Sequence, residues 1–402
     1  MYKINLNEYD YGLPDERIAQ HPEKERDRSK LLLYAQNSIS ADIFKNIDKY
    51  IPSDSLLVFN NTRVIRARLL FRKESGAKIE LLCLEPLSPA EYELSLGSKQ
   101  PVEWKCIIGN LKRWKSGLIS QEFGFRNKKY ILSAEKINLE GEAWRIRFWW
   151  NNQDMSFSEV IEATGHIPLP PYIKREDEED DNIRYQTVYS LIRGSVAAPT
   201  AGLHFTPELL DKIKRKGIGI AELTLHIGAG TFKPVKTNDV KEHEMHTEHF
   251  IIERKTIESL LNYQQKIIPV GTTTVRSLES LYWLGVKTLL YPSDFSGFLT
   301  LGQWEAYKIN EQITVTESLE AILHLMLREK LSFLCASTKI MIIPGYDFKI
   351  INGLITNFHQ PRSTLLLLIS AWVGNNWKRI YEFALDNKFR FLSYGDSSLL
   401  FR

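Results

Sequence analysis

The sequence predicts an α/β main domain with a mixed sheet, interrupted by a small antiparallel β-barrel domain. Two observations carry this reading. Before residue 62 and after residue 150, apolar strands run into asparagine, histidine, glycine or threonine and alternate with helical segments, which is the pattern of an open α/β sheet with ligand-facing strand ends. Between them lie VIRARLLF, KIELLCLE, EYELSL, EWKCIIG, KYILSA and AWRIRFWW, short and largely alternating segments divided by turn residues, as in an antiparallel barrel or sandwich. The expected division is therefore 1–62 with 151–402 for a discontinuous catalytic domain, and 63–150 for the insertion. A chain of 402 residues is long enough for two cores.

Composition narrows the function classes. A hydrophobic fraction of 43% and a charged fraction of 25% are those of a globular protein. The N-terminus lacks an apolar leader, and the longest apolar run, Thr364–Val373, is too short to span a bilayer; the expectation is a cytoplasmic monomer with no membrane partner. Cys83, Cys106 and Cys335 are odd in number and widely spaced, so they read as small core hydrophobes rather than disulfides or a thiolate metal site. Net charge is only +3, but residues 63–150 hold 17 Lys and Arg against 10 Asp and Glu, so the basic excess sits in the insertion.

Residues 1–62 read as an arm and helices leading to the strand Ser55–Phe59, which ends in Asn60, Asn61, Thr62 and Arg63. The insertion carries five of the nine tryptophans, and Asn110–Gly117 reads as a hairpin tip where Lys112, Arg113 and Lys115 would pair phosphates and an exposed Trp114 would stack a base. The bland alternative is a solvated turn. The main domain resumes near Phe157; Gly165–Tyr172 is a rigid proline-rich segment, and the six acids Glu176–Asp181 read as a solvated loop.

The stretch 195–232 organises the rest. Thr206 and Pro207 open a helix and Gly217 closes it. An apolar strand, Ile218–Ile227, then runs into Gly228, Ala229, Gly230 and Thr231, where missing Cβ atoms let a ligand approach backbone amides. His204 and His226 stand at the two ends of this unit; the competing reading makes them satisfied core histidines. Farther on, Ile267–Gly271 enters Thr272, Thr273 and Thr274 with a helix beginning around Val275, a junction that directs amides and hydroxyls at an anionic or polar ligand but lacks the P-loop pattern. A helix is expected near Leu319–Lys330. Three further strands, Ile340–Gly345, Gly353–His359 and Phe389–Asp396, finish in polar or glycine residues, and Ser363 or Thr364 caps a helix to Val373. Five polar strand ends favour one cleft. The triplet His243, His246 and His249, spaced by three, does not converge on either a helix or a strand, so no metal is expected.

The motifs LLVFNNTRVIRARL, GHIPLPPYI, YQTVYS, VAAPTAGLHFT, LTLHIGAGTFKPV, HEMHTEHF, VGTTTVRSLES, LITNFHQPRSTLLLLISAW and FLSYGD, in this order and nearly end to end, closely resemble the S-adenosylmethionine:tRNA ribosyltransferase-isomerase family of queuosine biosynthesis. The resemblance implies transfer and isomerisation of the ribosyl moiety of S-adenosylmethionine onto 7-aminomethyl-7-deazaguanine at the tRNA wobble position, giving epoxyqueuosine, adenine and methionine. It also implies an α/β domain interrupted by a β-barrel, S-adenosylmethionine as co-substrate, tRNA as partner, and no metal. Gln360 departs from the family's apolar residue in its motif, and His249 is not a family feature.

Such a reaction removes a proton beside the sulfonium, for which a neutral histidine is suited, and His226, His204 and His359 are the candidates. Departing adenine takes up a proton that Asp396 or a histidine would supply. The turns Gly228, Gly230 and Thr231 and Gly271, Thr272 and Thr273, with Asn60, Asn61 and Asn357, would hold the adenosine and methionine ends. Arg63 and Arg276 would pair either with the methionine carboxylate or with a tRNA phosphate. A methyltransferase is the first alternative, but Asn60-Asn61-Thr62 stands where an acidic Gly-x-Gly turn is needed. A non-catalytic RNA-binding protein is the second, and it would not need the polar strand ends.

Overall fold

The computed structural model describes residues 4–73, 75–228, 239–292, 295, 297–309 and 311–402. It is a mixed α/β structure with several sheets, one of them a curled antiparallel sheet. The main sheet runs in the order Ile267–Pro269, Leu56–Asn60, Gly219–His226, Glu248–Glu253, Phe333–Thr338, Leu299–Leu301. Its first three strands are parallel, so Asn60, His226 and Pro269 all finish at the same edge. A parallel bridge from Val270 to Ile355 joins it to a four-stranded sheet ordered Gly353–Asn357, Ser397–Phe401, Lys30–Ala35, Ser38–Ile43. Asn357 therefore ends at that edge too.

Strand direction explains two departures from the sequence reading. Phe389–Asp396 is not a strand that finishes in Asp396; the strand begins at Ser397 and runs antiparallel to Gly353–Asn357, with Asn357 opposite Ser397. Asp396 reaches the same edge by preceding a strand. Residues 340–345 form no strand either: Ile340, Met341, Ile342 and Ile343 are buried, but their amides bond to loops and side chains, as Met341 does to the Gln303 carbonyl and Ile343 to the Tyr307 hydroxyl. Apolarity there reports burial, not ladder pairing. In the N-terminal region the expected helices are only 3₁₀ turns, and Lys30–Ala35 with Ser38–Ile43 makes a hairpin whose tip residues Gln36 and Asn37 both have positive φ, 49° and 62°.

The expected helices are capped as their sequences specify. Thr206 accepts the Leu209 amide, and Pro207–Arg215 follows with Gly217 at φ +79°. Ser363 accepts the Leu366 amide ahead of Thr364–Val373. The helix Thr272–Leu290 starts earlier than the apolar pattern suggests, because Gly271 takes φ +95° and turns the chain directly out of its strand. It is buried from Thr272 to Val286 and packs against Val315–Arg328 so closely that a Cβ on Gly285 would stand 2.2 Å from the Ser318 carbonyl oxygen.

The antiparallel sheet runs Gly165–His166, Arg68–Arg72, Lys78–Ser88, Val102–Gly109, Ala143–Trp150, Lys128–Glu140, Ile119–Phe125. It encloses its own core of Trp104, Trp114, Phe148 and the helix residue Phe157. EYELSL, read as a strand, forms the helix Tyr92–Gly97: Tyr92, Ser95 and Leu96 share a face by i, i+3, i+4 spacing, and the buried Ser95 hydroxyl accepts the Trp104 indole N–H at 2.9 Å. Asn110–Gly117 is not a hairpin tip, since the strands on either side of it are not neighbours in the sheet. Trp114 is 0% exposed and donates to the Gly117 carbonyl, so it fills the core and offers no stacking surface. Lys112, Arg113 and Lys115 remain exposed. Cys83 and Cys106 face each other as buried free thiols, Sγ atoms 3.8 Å apart. Among the described residues no helix is long and apolar enough to cross a membrane.

Candidate active site

A cleft of about 840 Å³, counting the solvent at its mouth, opens at the shared strand edge. Its walls come from the segment 197–201, Ile227, Gly271–Thr273, Thr356–Gln360 and Leu392–Ser393. Two helices point their N-termini into it, Thr272–Leu290 and Thr364–Val373. The first of these lacks a side-chain cap, so the amides of its opening turn are offered to a ligand. An anionic or electron-rich group is the natural occupant.

Asn357 ties the floor together. Its Nδ2 donates to His204 Nε2 at 3.2 Å and to the Asp396 carbonyl at 3.4 Å, and its Oδ1 accepts the Thr200 hydroxyl at 3.2 Å. Because His204 Nε2 accepts, the ring proton sits on Nδ1 and is donated to Ser29 Oγ at 2.7 Å. Both nitrogens are used. Burial, reinforced by the positive Arg390, pushes His204 down to about 3, so it is neutral at any physiological pH. His359 lines the cleft; its Nε2 contacts Thr356 Oγ1 at 3.0 Å, its amide donates to the Tyr381 hydroxyl, and Tyr11 donates to its carbonyl. Burial pushes this ring to about 3 as well.

His226 stands apart from the cleft walls. Its Nδ1 is 3.0 Å from Thr62 Oγ1 and its ring lies on Tyr92, centroids 4.3 Å apart. Tyr92 belongs to the helix beside the antiparallel sheet, and Gly194 makes the approach possible: a Cβ there would come within 2.7 Å of His226 and 2.8 Å of Tyr92. Thr62 Oγ1 also donates to the Ile192 carbonyl at 3.5 Å, so it accepts from Nδ1–H and leaves Nε2 with its lone pair. Burial and the neighbouring His249 lower His226 to about 4.

The other expected residues divide clearly. Gly271, Thr272, Thr273 and Asn357 line the cleft with His359. His204 and Asp396 stand behind it, joined through Asn357; the Asp396 carboxylate is taken by the Lys30 and Arg390 amides at 2.9 and 2.7 Å, and burial raises its pKa. Asn60 and Asn61 are not among the lining residues. Asn60 spends its side chain on both backbone atoms of Leu225 and on the Thr62 amide, and Asn61 bridges Glu222 and Thr224. A Cβ on Gly228 would meet nothing within 4 Å among the described residues, whereas Gly230 and Thr231 lie outside them. Arg63 is exposed, and Arg276 is buried beside Glu248. The acidic run is less solvated than its charge suggests: Asp181 is buried, held bidentately by Arg175 and by the Tyr394 hydroxyl.

Sequence reasoning did not find Ser29, Thr200, Tyr11, Tyr92 or Tyr381. Only Thr200 lies within a motif quoted for the site, and nothing local marks a serine at residue 29 as the partner of a histidine at residue 204. Glu248 was visible inside HEMHTEHF but was overshadowed by the histidine spacing.

Residues 6–400 match the family model described as queuosine biosynthesis protein. The chain belongs to this family. The chain is 38% identical over 402 residues to the S-adenosylmethionine:tRNA ribosyltransferase-isomerase of Trichlorobacter lovleyi, covering 98% of this chain and 99% of the relative. It is 37% identical over 408 residues to the enzyme of the same name from a Sulfurihydrogenibium species, covering 99% and 100%. A solved S-adenosylmethionine tRNA ribosyltransferase from Thermotoga maritima is 28% identical, with 98% and 99% of the two chains covered and a TM-score of 0.45. Among the described residues of this family member, no three His, Cys, Asp or Glu side chains are grouped as a metal site.

Proposed function

We propose that this chain is an S-adenosylmethionine:tRNA ribosyltransferase-isomerase. It moves the ribosyl moiety of S-adenosylmethionine onto the aminomethyl group of 7-aminomethyl-7-deazaguanine at the tRNA wobble position, isomerises it to epoxyqueuosine, and releases adenine and methionine. The observation that carries this reading is the identity of 37–38% to enzymes of that name, over 98–99% of this chain and 99–100% of those relatives. The site chemistry supports it. A cleft with two helix N-termini and neutral histidines suits a cationic sulfonium substrate carrying a carboxylate and a leaving purine.

Within this reading the cleft residues Gly271, Thr272, Thr273, Asn357 and His359 hold S-adenosylmethionine, with Gly228, Gly230 and Thr231 as further cofactor-binding residues. His226 is the base. Of His204 and His226, only His226 keeps an unprotonated ring nitrogen without a hydrogen-bond partner among the described residues, and it stands two residues before Gly228. His204 and Asp396 position Asn357 from behind. Arg63 and the exposed Lys112, Arg113 and Lys115 take tRNA phosphates. The protein works in the cytoplasm as a monomer without a metal, and 63–150 is an inserted domain that carries RNA toward the discontinuous main domain.

S-adenosylmethionine labelled either in the ribose or in the methyl group tests the proposal, with tRNA carrying the aminomethyl precursor base as acceptor. Ribose label on the tRNA without methyl label is expected. Methyl label on the tRNA would mark a methyltransferase, and label of neither kind would leave an RNA-binding protein.

A further inference from the structure

The helix Thr272–Leu290 carries a guanidinium that the fold seals but does not satisfy. Arg276 is 4% exposed, and its Nε and Nη2 are buried with no hydrogen-bond partner among the described residues. Among the described residues its ion-pair partner is Glu248 on the main sheet, with Nη2 to Oε2 at 3.4 Å but without hydrogen-bonding geometry. Glu248 is itself 1% exposed. Its Oε1 meets His246 Nε2 at 3.3 Å, while Oε2 has no hydrogen-bond partner among the described residues. Burying either charge is costly even when the two lie together, because the leftover donors and lone pairs have lost water and gained nothing in its place. A resident ion pair meant only to hold the helix on the sheet would close that short gap into a bidentate contact.

Position says what the gap is for. Helical side chains lie back over the turn preceding their own Cα, and residues three and four apart share a face. Arg276 therefore shares a face with Thr273 and Thr272, both of which line the cleft. The two unfilled groups are one donor of positive charge and one acceptor of negative charge, side by side. That is the complement of an α-amino acid zwitterion.

We propose that Arg276 and Glu248 together receive the amino-acid end of S-adenosylmethionine, Arg276 taking the α-carboxylate and Glu248 Oε2 the α-ammonium. The proposal rests on the ribosyltransferase reading for the identity of the ligand. It also divides the work of the two arginines. A residue 4% exposed is out of reach of a tRNA phosphate but stands one helical turn behind the cleft-lining Thr272 and Thr273, whereas the exposed Arg63 can meet the nucleic acid. His246 holds the far oxygen of Glu248 and so fixes the carboxylate from behind.

Calorimetric titration of the full chain with S-adenosylhomocysteine and with 5′-methylthioadenosine, which lacks the amino-acid end, tests this directly. Arg276→Gln and Glu248→Gln are each expected to weaken S-adenosylhomocysteine by about 10- to 100-fold, the scale of a lost charge-assisted contact, and to leave methylthioadenosine within about twofold. Arg276→Lys keeps the charge without the fork and should fall between. Equal losses for both ligands in a folded variant would make the pair purely structural and overturn the proposal. If the variants do not fold, the unmodified protein decides: the decarboxylated analogue of S-adenosylhomocysteine should bind it at least about tenfold more weakly than the parent ligand, and equal affinity overturns the proposal. A parent protein that binds neither S-adenosylhomocysteine nor methylthioadenosine would instead sink the ribosyltransferase reading itself.

Discussion

Lowering the pH from 7.5 to 5.5 should destabilise this fold by about 4 kcal/mol through three histidines alone. His204, His359 and His226 are held at about 3, 3 and 4, against 6.5 for an ordinary histidine, with burial as the leading cause for each. The folded protein therefore refuses protons that the unfolded chain accepts. Their stabilising effect is complete above pH 6.5 and is lost progressively as the pH falls from there toward 4 and 3. At pH 5.5 an unfolded histidine is about nine-tenths protonated while the folded ones are almost bare, which amounts to somewhat more than about 1 kcal/mol for each. Against a usual total of about 5–15 kcal/mol, a loss of that size is readily measured. Glu279 and Asp396, whose pKa values burial raises, act in the opposite sense and reduce the net fall, so the comparison is made between variants. Urea unfolding followed by tryptophan fluorescence at both pH values should show a fall smaller by somewhat more than about 1 kcal/mol in His359→Gln than in the parent. If His359→Gln keeps the parent's pH dependence, His359 is not held neutral and the electrostatic description of the cleft is wrong.

Other outcomes follow from the same geometry. His226→Gln should cut turnover by about two orders of magnitude or more with folding and tRNA affinity preserved, since of His204 and His226 only the latter keeps an unprotonated ring nitrogen without a hydrogen-bond partner among the described residues; near-parental turnover would pass the role to His359, whose Nε2 is already engaged by Thr356. Replacing Lys112, Arg113 and Lys115 by alanine should weaken tRNA binding and flatten its salt dependence by about 0.7–0.9 per lost phosphate contact, with cofactor affinity unchanged; an unaltered slope would reduce these residues to a solvated turn. Trp114→Ala should instead lower stability by about 3–5 kcal/mol, because the indole is core, and a variant that loses only RNA affinity would contradict its burial. Activity should survive exhaustive chelation; a loss restored by one divalent ion, with the tRNA shown to be folded, would reverse the metal-free reading.

Elements with local chemistry at their ends were legible in the sequence. Thr206, Pro207 and Gly217 bracket one helix and Ser363 caps another because a cap acts within three residues of itself. Strand ends with glycine or asparagine were legible for the same reason, and Gly271, Thr272, Thr273, Asn357 and His359 do meet in one cleft. Partners set by topology were not legible. Asp396 faces Asn357 only because the final strand runs antiparallel, and Ser29 reaches His204 only because Lys30–Ala35 lies beside that strand. Period-two alternation misled at EYELSL, where three of its residues also fit a helix face, and basic neighbours misled at Trp114, whose side chain turns inward while Lys112, Arg113 and Lys115 turn outward.

The most direct measurement is chromatographic detection of free adenine when the protein is mixed with S-adenosylmethionine and tRNA carrying the aminomethyl deazaguanine base. A ribosyltransferase-isomerase must release adenine and methionine in equal amounts, one of each for every modified tRNA, and none when the tRNA lacks the precursor base. Accumulation of S-adenosylhomocysteine without adenine, or adenine release indifferent to the precursor base, would contradict the assignment.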